Sequence, residues 1–192
     1  MIDLMLGLVL LMLFLPVIIV LFMVLLIPTN FRPFFVQVRP GIHGQFIKLV
    51  KFRTMNDNKS VDGSLLPDQE RIFVLGRYIR IFSLDELPQI IHVVLGQMSL
   101  VGPRPLLVEY LPLYNETQSR RHEMRPGMTG WAQINGRNEI SWQKRFDLDV
   151  WYVDNVSFWL DSKIFILTLI RVLSRQGVSP KSTVTMQKFK GN

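Results

Sequence analysis

The stretch "LMLGLVLLMLFLPVIIVLFMVLLI", Leu4 to Ile27, contains 24 successive residues without a charge. As a straight helix it would reach about 36 Å, whereas the hydrocarbon core of a bilayer is about 30 Å thick. No basic segment precedes the stretch and no small-residue cleavage site follows it, so a secretory signal peptide fits poorly. The stretch therefore predicts an N-terminal membrane helix.

The path of this helix depends on Pro16, which lies in its middle. Proline removes one helix hydrogen bond and clashes with the preceding turn, so it kinks or breaks a helix. A kinked span is one reading, because membrane helices tolerate proline. A re-entrant helix that enters and leaves on one face is the other, and the pattern alone slightly favours the span. In both cases the residues that follow should lie in the cytoplasm.

The remainder of the chain is strongly basic. The net charge is +7, and all 22 lysines and arginines lie at or after Arg32. Such a body can meet nucleic acid, anionic lipid or phosphorylated substrates. The absence of cysteine excludes disulfides and thiolate metal sites, and the three histidines, His43, His92 and His122, have no metal-like spacing. Neither a P-loop nor a dinucleotide-binding glycine pattern occurs.

The body is predicted to be mostly helical with a small β-hairpin, which makes the fold class α+β. Alternating apolar and polar residues predict strands at Phe34–Val38 and Phe46–Phe52, with a turn at Arg39–Gly41. We predict helices at Arg71–Ile81, Pro88–Leu95, Leu106–His122 with a possible break at Pro112, Trp142–Tyr152 and Phe158–Ser174. The last of these fits a core helix and a helix in the membrane interface equally well. Residues 1–30 would form the membrane helix and residues 31–192 the cytosolic, membrane-associated domain.

Two adjacent carboxylates stand out in "SLDELPQ", Ser83 to Gln89. The spacing of Ser83 and Glu86 matches a capping box, in which Glu86 would only secure the start of a helix. Alternatively the helix starts at Pro88, since proline suits the first helical position. Asp85 and Glu86 would then precede its positive end, where a carboxylate stays ionised and nucleophilic. The pattern alone favours capping over catalysis.

Several cations are candidates for binding phosphate. Arg104 in "VGPRPLL" lies between two prolines that restrict the backbone, which suits bidentate recognition of a phosphate. "INGRN" indicates a tight turn that presents Arg137. Together with Lys51, Arg53, Arg80 and Arg125 there are enough cations for a diphosphate. A rigid loop and an ordinary turn explain the two motifs equally simply, and spacing does not show whether the cations converge.

Five motifs resemble one family over nearly the whole chain. They are "KFRTM", "SLDELPQ", "MSLVGPRPLLVEYLPLYNETQ", "RPGMTGWAQINGRN" and the closing "GVS". These motifs are similar to those of the bacterial sugar transferases called monotopic phosphoglycosyl transferases. The short chain resembles the small members that start bacterial protein N-glycosylation. Those enzymes move phospho-N,N′-diacetylbacillosamine from UDP to undecaprenyl phosphate.

The resemblance implies a role for each motif. Asp85 would be the nucleophile, Glu86 its partner, and Mg²⁺ would lie at this pair, while Arg104 would bind phosphate. The N-terminal helix would be re-entrant, which reverses the preference for a span. The enzyme would work with a UDP-sugar and undecaprenyl phosphate at the cytoplasmic face of the bacterial inner membrane. Two departures concern the helix alone: Leu15 precedes Pro16 where the family usually has serine, and the chain begins "MID" without basic residues.

Three other functions compete with this one. The same chemistry with UDP-GalNAc or UDP-GlcNAc would serve capsule, O-antigen or exopolysaccharide assembly. A membrane scaffold for glycan assembly would have no need of the Asp85–Glu86 pair. A nucleic-acid-binding protein is disfavoured by the membrane helix and by the lack of an aromatic-basic RNA motif. Homo-oligomerisation is possible in each case.

Overall fold

The computed structural model of the chain describes residues 2–136, 140–174 and 188–191. Arg137 and the closing Gly177–Ser179 motif lie outside the described residues. The α-helices are α1 (Ile2–Leu26), α2 (Asp68–Arg71), α3 (Val74–Ile81), α4 (Ile90–Val94), α5 (Glu116–Ser119), α6 (Trp131–Ile134), α7 (Trp142–Asp154) and α8 (Phe158–Ser174). The strands are β1 (Phe34–Pro40), β2 (Phe46–Phe52), β3 (Ser99–Val101) and β4 (Gly127–Thr129). The predicted class, α+β and mostly helical, is confirmed.

The membrane helix α1 packs along the body by one narrow stripe. Gly7 and Leu25 are buried, and Leu10, Ile18 and Leu21 pack against core residues of the body at spacings of three, four and eight. This spacing keeps one face of a helix against its neighbour, and most of the other apolar side chains of α1 are exposed. Among the described residues, α1 is the one helix long and apolar enough to cross a membrane.

Pro16 lies inside α1 and does not end it, because the helix continues to Leu26. Both ends of α1 contact the body. Near the N-terminus, the Asp3 carboxylate accepts hydrogen bonds from Ser99 Oγ at 2.8 Å and from the Leu100 amide at 3.2 Å. The re-entrant path is compatible with these contacts and stays a prediction.

The predicted hairpin is present, and its strands pair antiparallel from Phe34 opposite Phe52 to Pro40 opposite Phe46. The turn predicted at Arg39–Gly41 was wrong, because β1 continues through Pro40. A proline is tolerated at the end of an edge strand, where its missing amide hydrogen breaks no ladder bond. The chain reverses instead at a short 3₁₀ turn, Ile42–Gly44, in which His43 and Gly44 have φ of 52° and 75°.

A second small sheet was not predicted. The three-residue strands β3 and β4 pair in parallel, with Ser99 opposite Gly127 and Val101 opposite Thr129. Strands this short give almost no alternation to recognise. The pair matters for the site, because the loop that carries Arg104 leaves directly from β3.

The longer helices were predicted better than the short ones. The bounds of α8 agree with the prediction, α7 extends to Asp154, and α3 begins at Val74 rather than at Arg71. The helix predicted at Leu106–His122, with a possible break at Pro112, is only partly confirmed: the stretch is divided into three short pieces, and Pro112 lies inside the first of them. In its place are a 3₁₀ helix at Val108–Leu113, α5 with an Asn115–Gln118 capping box, and a 3₁₀ turn at Arg120–His122.

The main core lies between the β-hairpin, the second sheet and α8. Its buried side chains are Leu49, Val93, Met98, Leu100, Val101, Ile134, Tyr152 and Ile164. Helix α8 buries Ile164 in this core and exposes Trp159, Ile166 and Ile170 on its other side. The core interpretation of α8 therefore holds for one face, and its placement in a membrane interface stays a prediction for the other.

Candidate active site

The two adjacent carboxylates lie in the first turn of a 3₁₀ helix, Leu84–Gln89. Ser83 before it is left-handed, with φ of 54°, and its side chain caps nothing. The capping-box interpretation was therefore wrong, because the Ser83 side chain makes no capping hydrogen bond and the Glu86 carboxylate bonds Lys51 and Arg104 instead. The α-helix also does not start at Pro88, which lies inside the 3₁₀ helix, but at Ile90.

Glu86 is held by two cations. Its Oε1 accepts hydrogen bonds from Lys51 Nζ at 2.6 Å and from Arg104 Nη2 at 2.5 Å, and its Oε2 accepts one from Arg104 Nη1 at 3.3 Å. Burial raises the pKa of Glu86, but Arg104 and Lys51 more than offset it and hold the pKa well below its usual range. Glu86 is therefore a permanent anion that fixes the positions of both cations.

Asp85, the neighbour of Glu86, is not held by cations in this way. Its carboxylate is partly buried and accepts no hydrogen bond from the described part of the chain. Burial and, next, the Glu86 charge raise its pKa to about 6, although Lys51, Arg80 and Arg104 act in the other direction. Two neighbouring carboxylates with pKa values pushed apart are a common signature of a division of labour in an active site.

The structure brings three of the predicted phosphate-binding residues to this pair. Lys51 reaches it from β2, Arg104 from the loop after β3, and Arg80 from the last turn of α3, where its Nε donates to Thr54 Oγ1 at 2.7 Å. Arg80 is near enough to lower the pKa of Asp85. Strand, loop and helix thus place positive charge on several sides of one carboxylate pair.

Two other predicted residues are not brought to the pair. Arg53 donates to the Arg32 carbonyl and to Asp57, each at 3.1 Å. The Arg125 side chain is exposed. Within residues 2–136 and 140–174 neither side chain contacts Asp85 or Glu86. The position of Arg137 lies outside the described residues.

The loop that carries Arg104 is supported by a buried ion pair that sequence reasoning missed. Arg121 and Asp149, whose side chains are 1% and 3% exposed, pair at 2.7 Å. Arg121 Nη2 also donates to the Arg104 carbonyl at 2.7 Å. Arg121 occurs in a polar stretch and Asp149 in a helix 28 residues further on, so no local pattern links them.

Arg39 is a further cation of the site that sequence reasoning missed. It was assigned to a turn, but it lies on β1, and its partly buried guanidinium donates to Gln37 Oε1 at 2.7 Å. Burial and then Arg104 lower the pKa of Arg39 to about 10. The alternation of β1, followed two residues further than predicted, would have placed Arg39 on the same face as Gln37.

The donor set can be compared with the needs of Mg²⁺, which prefers oxygen ligands and retains several waters. Asp85 fits, because its oxygens are not taken by a protein donor in the described structure. Glu86 fits less well, because three hydrogen bonds from Lys51 and Arg104 already occupy most of its acceptor capacity. Among the described residues no cluster of three or more acidic or histidine side chains forms a metal cage. Substrate phosphates and water would therefore supply the remaining ligands.

Comparison with known proteins finds relatives that are described as sugar transferases. The profile of the family described as "Bacterial sugar transferase" matches residues 1–175. EpsL of Bacillus subtilis, described as an uncharacterized sugar transferase, is 59% identical over 159 residues, covering 83% of this chain and 79% of its own. A UDP-glucose:undecaprenyl-phosphate glucose-1-phosphate transferase of Escherichia coli is 41% identical over 154 residues, covering 75% of this chain.

The chain spans only part of the longer relatives. The match covers 32% of the E. coli protein. A galactosyl transferase of Streptococcus agalactiae, CpsE, is 41% identical over 157 residues that make up 74% of this chain and 35% of its own. The region shared with these proteins is the region that contains the carboxylate pair and its cations.

Proposed function

The chain belongs to the bacterial sugar transferase family, and we propose that it transfers a sugar 1-phosphate from a UDP-sugar to undecaprenyl phosphate, with release of UMP. The observation that carries the proposal is the state of Asp85. It is a partly buried carboxylate with no hydrogen-bond donor in the described structure, beside a Glu86 locked to two cations. A carboxylate that is poorly solvated and held among cations is suited to attack phosphorus.

In the first step an Asp85 oxygen attacks the phosphorus that bears the sugar. The bond from this phosphorus to the bridging oxygen breaks, and UMP leaves with the electron pair. The product on the protein is an acyl phosphate between Asp85 and the sugar. Lys51, Arg80 and Arg104 neutralise the negative charge that develops on the phosphoryl oxygens.

In the second step a phosphate oxygen of undecaprenyl phosphate attacks the same phosphorus. The bond between phosphorus and the Asp85 oxygen breaks, the carboxylate is restored, and the sugar is left on a lipid diphosphate. The covalent intermediate divides a reaction of two large substrates into two displacements at one residue. Neither step needs a general base, because the attacking oxygen, of the ionised Asp85 carboxylate in the first step and of the lipid phosphate in the second, already carries negative charge.

We propose that Mg²⁺ binds at Asp85 together with the diphosphate of the donor. Bound there it would withdraw electron density from the phosphoryl oxygens and favour departure of UMP. Glu86 keeps Lys51 and Arg104 in place, and its role as a direct metal ligand stays a prediction. The remaining protein groups bind and orient the diphosphate.

The membrane helix fits the meeting of a soluble donor with a lipid acceptor. Helix α1 packs on the same body that carries Asp85 and exposes its other apolar faces. Burial of those faces in lipid would hold the site at the membrane surface. We propose that this surface is the cytoplasmic face of the bacterial inner membrane, where the basic body would lie.

The identity of the transferred sugar is a separate question from the reaction. The resemblance to the small transferases of protein N-glycosylation predicts N,N′-diacetylbacillosamine 1-phosphate as the transferred group. Relatives of 41% identity are named for transfer of glucose 1-phosphate and of galactose. Transfer of any of these sugars would use the same phosphoryl chemistry at Asp85. The donors differ only in the contacts that the sugar ring makes with the protein.

The test is release of UMP by the purified full-length protein with undecaprenyl phosphate. The donors would be UDP-N,N′-diacetylbacillosamine, UDP-glucose, UDP-galactose, UDP-GlcNAc and UDP-GalNAc. We expect turnover with one of these donors, and without lipid we expect a mass increase of one sugar phosphate on the protein. Asp85→Asn should abolish both. Normal UMP release by Asp85→Asn would contradict the covalent mechanism.

A further inference from the structure

One face of the β-hairpin looks toward the carboxylate pair. Opposed residues of an antiparallel pair point to the same side, and residues two apart along a strand share that side. Gln37 lies opposite Leu49, Arg39 opposite Ile47, and Lys51 opposite Phe35. Arg39, Gln37 and Lys51 therefore share a face. Because Lys51 contacts Glu86, this face is the one turned to the site.

Arg39 differs from the other cations of the site in its partner. Lys51 and Arg104 pair with Glu86, and Arg121 pairs with Asp149. The Arg39 guanidinium donates to the neutral amide oxygen of Gln37, and no carboxylate of the described chain forms an ion pair with it. A partly buried guanidinium without a counter-ion is unfavourable until an anion binds it. Phosphate oxygens are the usual partners of such a group.

The neighbours of Arg39 place it at one end of the site. The strand β2 gives the order of three cations. Arg80 donates to Thr54 Oγ1 just after the end of β2, Lys51 within β2 pairs with Glu86, and Arg39 lies opposite Ile47, four residues before Lys51. Arg39 therefore lies at the end of the site away from Arg80, and Arg104 and Glu86 are near enough to act on its charge.

This order corresponds to the geometry of the first displacement. The attacking and leaving oxygens lie on opposite sides of the phosphorus that is attacked. The second phosphate of the donor, which departs as part of UMP, is therefore further from Asp85 than the sugar-bearing phosphate. We propose, on the basis of the proposed function, that Arg39 binds the phosphate of the departing nucleotide. It would hold the diphosphate in line for attack and act as a binding residue for UDP-sugar and UMP.

The experiment compares wild type with Arg39→Met, Arg39→Lys and Lys48→Met. Lys48 is the matched control, because it lies opposite Val38 on the other face of the same hairpin and is exposed. We would measure equilibrium binding of UMP, and the KM for the UDP-sugar and for undecaprenyl phosphate. Arg39→Met should weaken UMP binding and raise the KM for the UDP-sugar by roughly ten- to hundredfold. Lys48→Met should match wild type.

These measurements distinguish the two sources of the bound phosphate, the nucleotide and undecaprenyl phosphate. An unchanged KM for undecaprenyl phosphate is expected, whereas a change confined to this KM would overturn the assignment to the nucleotide. Wild-type UMP affinity in Arg39→Met would overturn the proposal altogether. If a thermal unfolding measurement shows that Arg39→Met is not folded, the Arg39→Lys variant is used for the test instead. It retains the charge but not the planar guanidinium, and an intermediate UMP affinity is expected, whereas full wild-type affinity would overturn the proposal.

Failure of the proposed function would be seen differently. Wild type that binds UMP but turns over none of the UDP-sugars would contradict the transferase reaction while the dependence on Arg39 persisted. Wild type that turns over a UDP-sugar, with an Arg39→Met variant that is indistinguishable from it, would contradict the role of Arg39 alone.

Discussion

At the scale of single residues, the site separates two carboxylates that the sequence places side by side. Glu86 is satisfied by three charge-assisted hydrogen bonds, and Asp85 by none in the described structure. Binding of Glu86 to Lys51 and Arg104 reduces the positive charge available to Asp85, and burial disfavours its ionisation further. Asp85 is thus a destabilising residue in the absence of ligands, which is expected of a group kept for chemistry.

The first prediction concerns the stability of Asp85→Asn without magnesium or substrate. The pKa of Asp85 is raised from 3.8 to about 6 in the fold, so ionisation above pH 6 favours the unfolded chain. The variant should be more stable than wild type by about 2–3 kcal/mol at pH 8. The difference should shrink as pH falls from 6 toward 3, because the unfolded carboxyl, with a pKa of 3.8, then also binds the proton.

Denaturant unfolding at several pH values measures this difference. Asp147→Asn is the control, since Asp147 is an exposed carboxylate of α7. It should show no comparable gain at pH 8. A variant Asp85→Asn that is less stable than wild type at pH 8 would contradict the assignment of a strained carboxylate.

The second prediction concerns Glu86→Gln. The amide cannot hold Lys51 and Arg104 as the carboxylate does, so we expect kcat to fall by about a hundredfold. Loss of the neighbouring charge should also lower the pKa of Asp85, which would move the acid limb of the pH profile to lower pH. Glu123→Gln, which removes an exposed ion pair with Arg120, should leave both quantities unchanged. An unshifted acid limb would argue against coupling of the pair.

The third prediction is loss of activity on removal of the metal. Without the diphosphate of the substrate, a site with one available carboxylate holds a divalent ion weakly. EDTA should therefore abolish UMP release quickly, and Mg²⁺ added in excess should restore it. Undiminished turnover in chelator would remove Mg²⁺ from the scheme.

At the scale of elements, sequence patterns predicted what is long and regular. The unbroken apolar run of α1, the alternation of β1 and β2, and the bounds of α8 could all be recognised, because each signal extends over many residues. The 3₁₀ helix of Asp85, the left-handed Ser83 and the sheet of β3 and β4 could not. Their conformations are imposed by distant partners, as Glu86 is by Lys51, 35 residues earlier in the chain.

The fourth prediction tests the unpredicted sheet, which carries the Arg104 loop. A Cβ at Gly127 would lie 2.1 Å from the Gly102 nitrogen and 2.4 Å from the Thr129 oxygen, and both are backbone atoms that have little room to move. Gly127 N also donates to the Pro103 carbonyl at 3.0 Å. Gly127→Ala should therefore destabilise the fold by about 2–3 kcal/mol and displace Arg104, which would lower activity even where the variant remains folded.

A control for this change is Gly96→Asn. Gly96 has φ of 71° and no atom near a Cβ, and asparagine tolerates this conformation. Its unfolding midpoint should stay close to that of wild type. Equal midpoints for Gly127→Ala and wild type would show that the β3–β4 contact has more freedom than its backbone distances imply.

At the scale of the whole molecule, the structure relates the membrane helix to the active site. Core residues are shared between α1 and the body at both ends: Gly7 packs on Val93 of α4, and Leu25 packs with Phe52 and Ile79. Helix α4 directly follows the 3₁₀ helix of Asp85. A shift of α1 relative to the body would therefore be transmitted over a short distance to Asp85, the proposed nucleophile.

The last prediction concerns the side of the membrane on which the chain begins. If α1 crossed the bilayer, Asp3 would leave Ser99 and Leu100, and the carboxylate would lose both hydrogen bonds. If α1 re-enters, Asp3 stays on the body and both hydrogen bonds persist. We expect the re-entrant path.

In this cysteine-free chain, Ile2→Cys and, as the control in an exposed loop, Ser60→Cys can each be treated with an impermeant maleimide in intact cells. Both should react only after lysis, whereas reaction of Ile2→Cys alone from outside would show that α1 spans. Asp3→Leu in the Ile2→Cys background should increase labelling from outside if the carboxylate secures the N-terminus, and Pro16→Leu should do so if the proline bends the path.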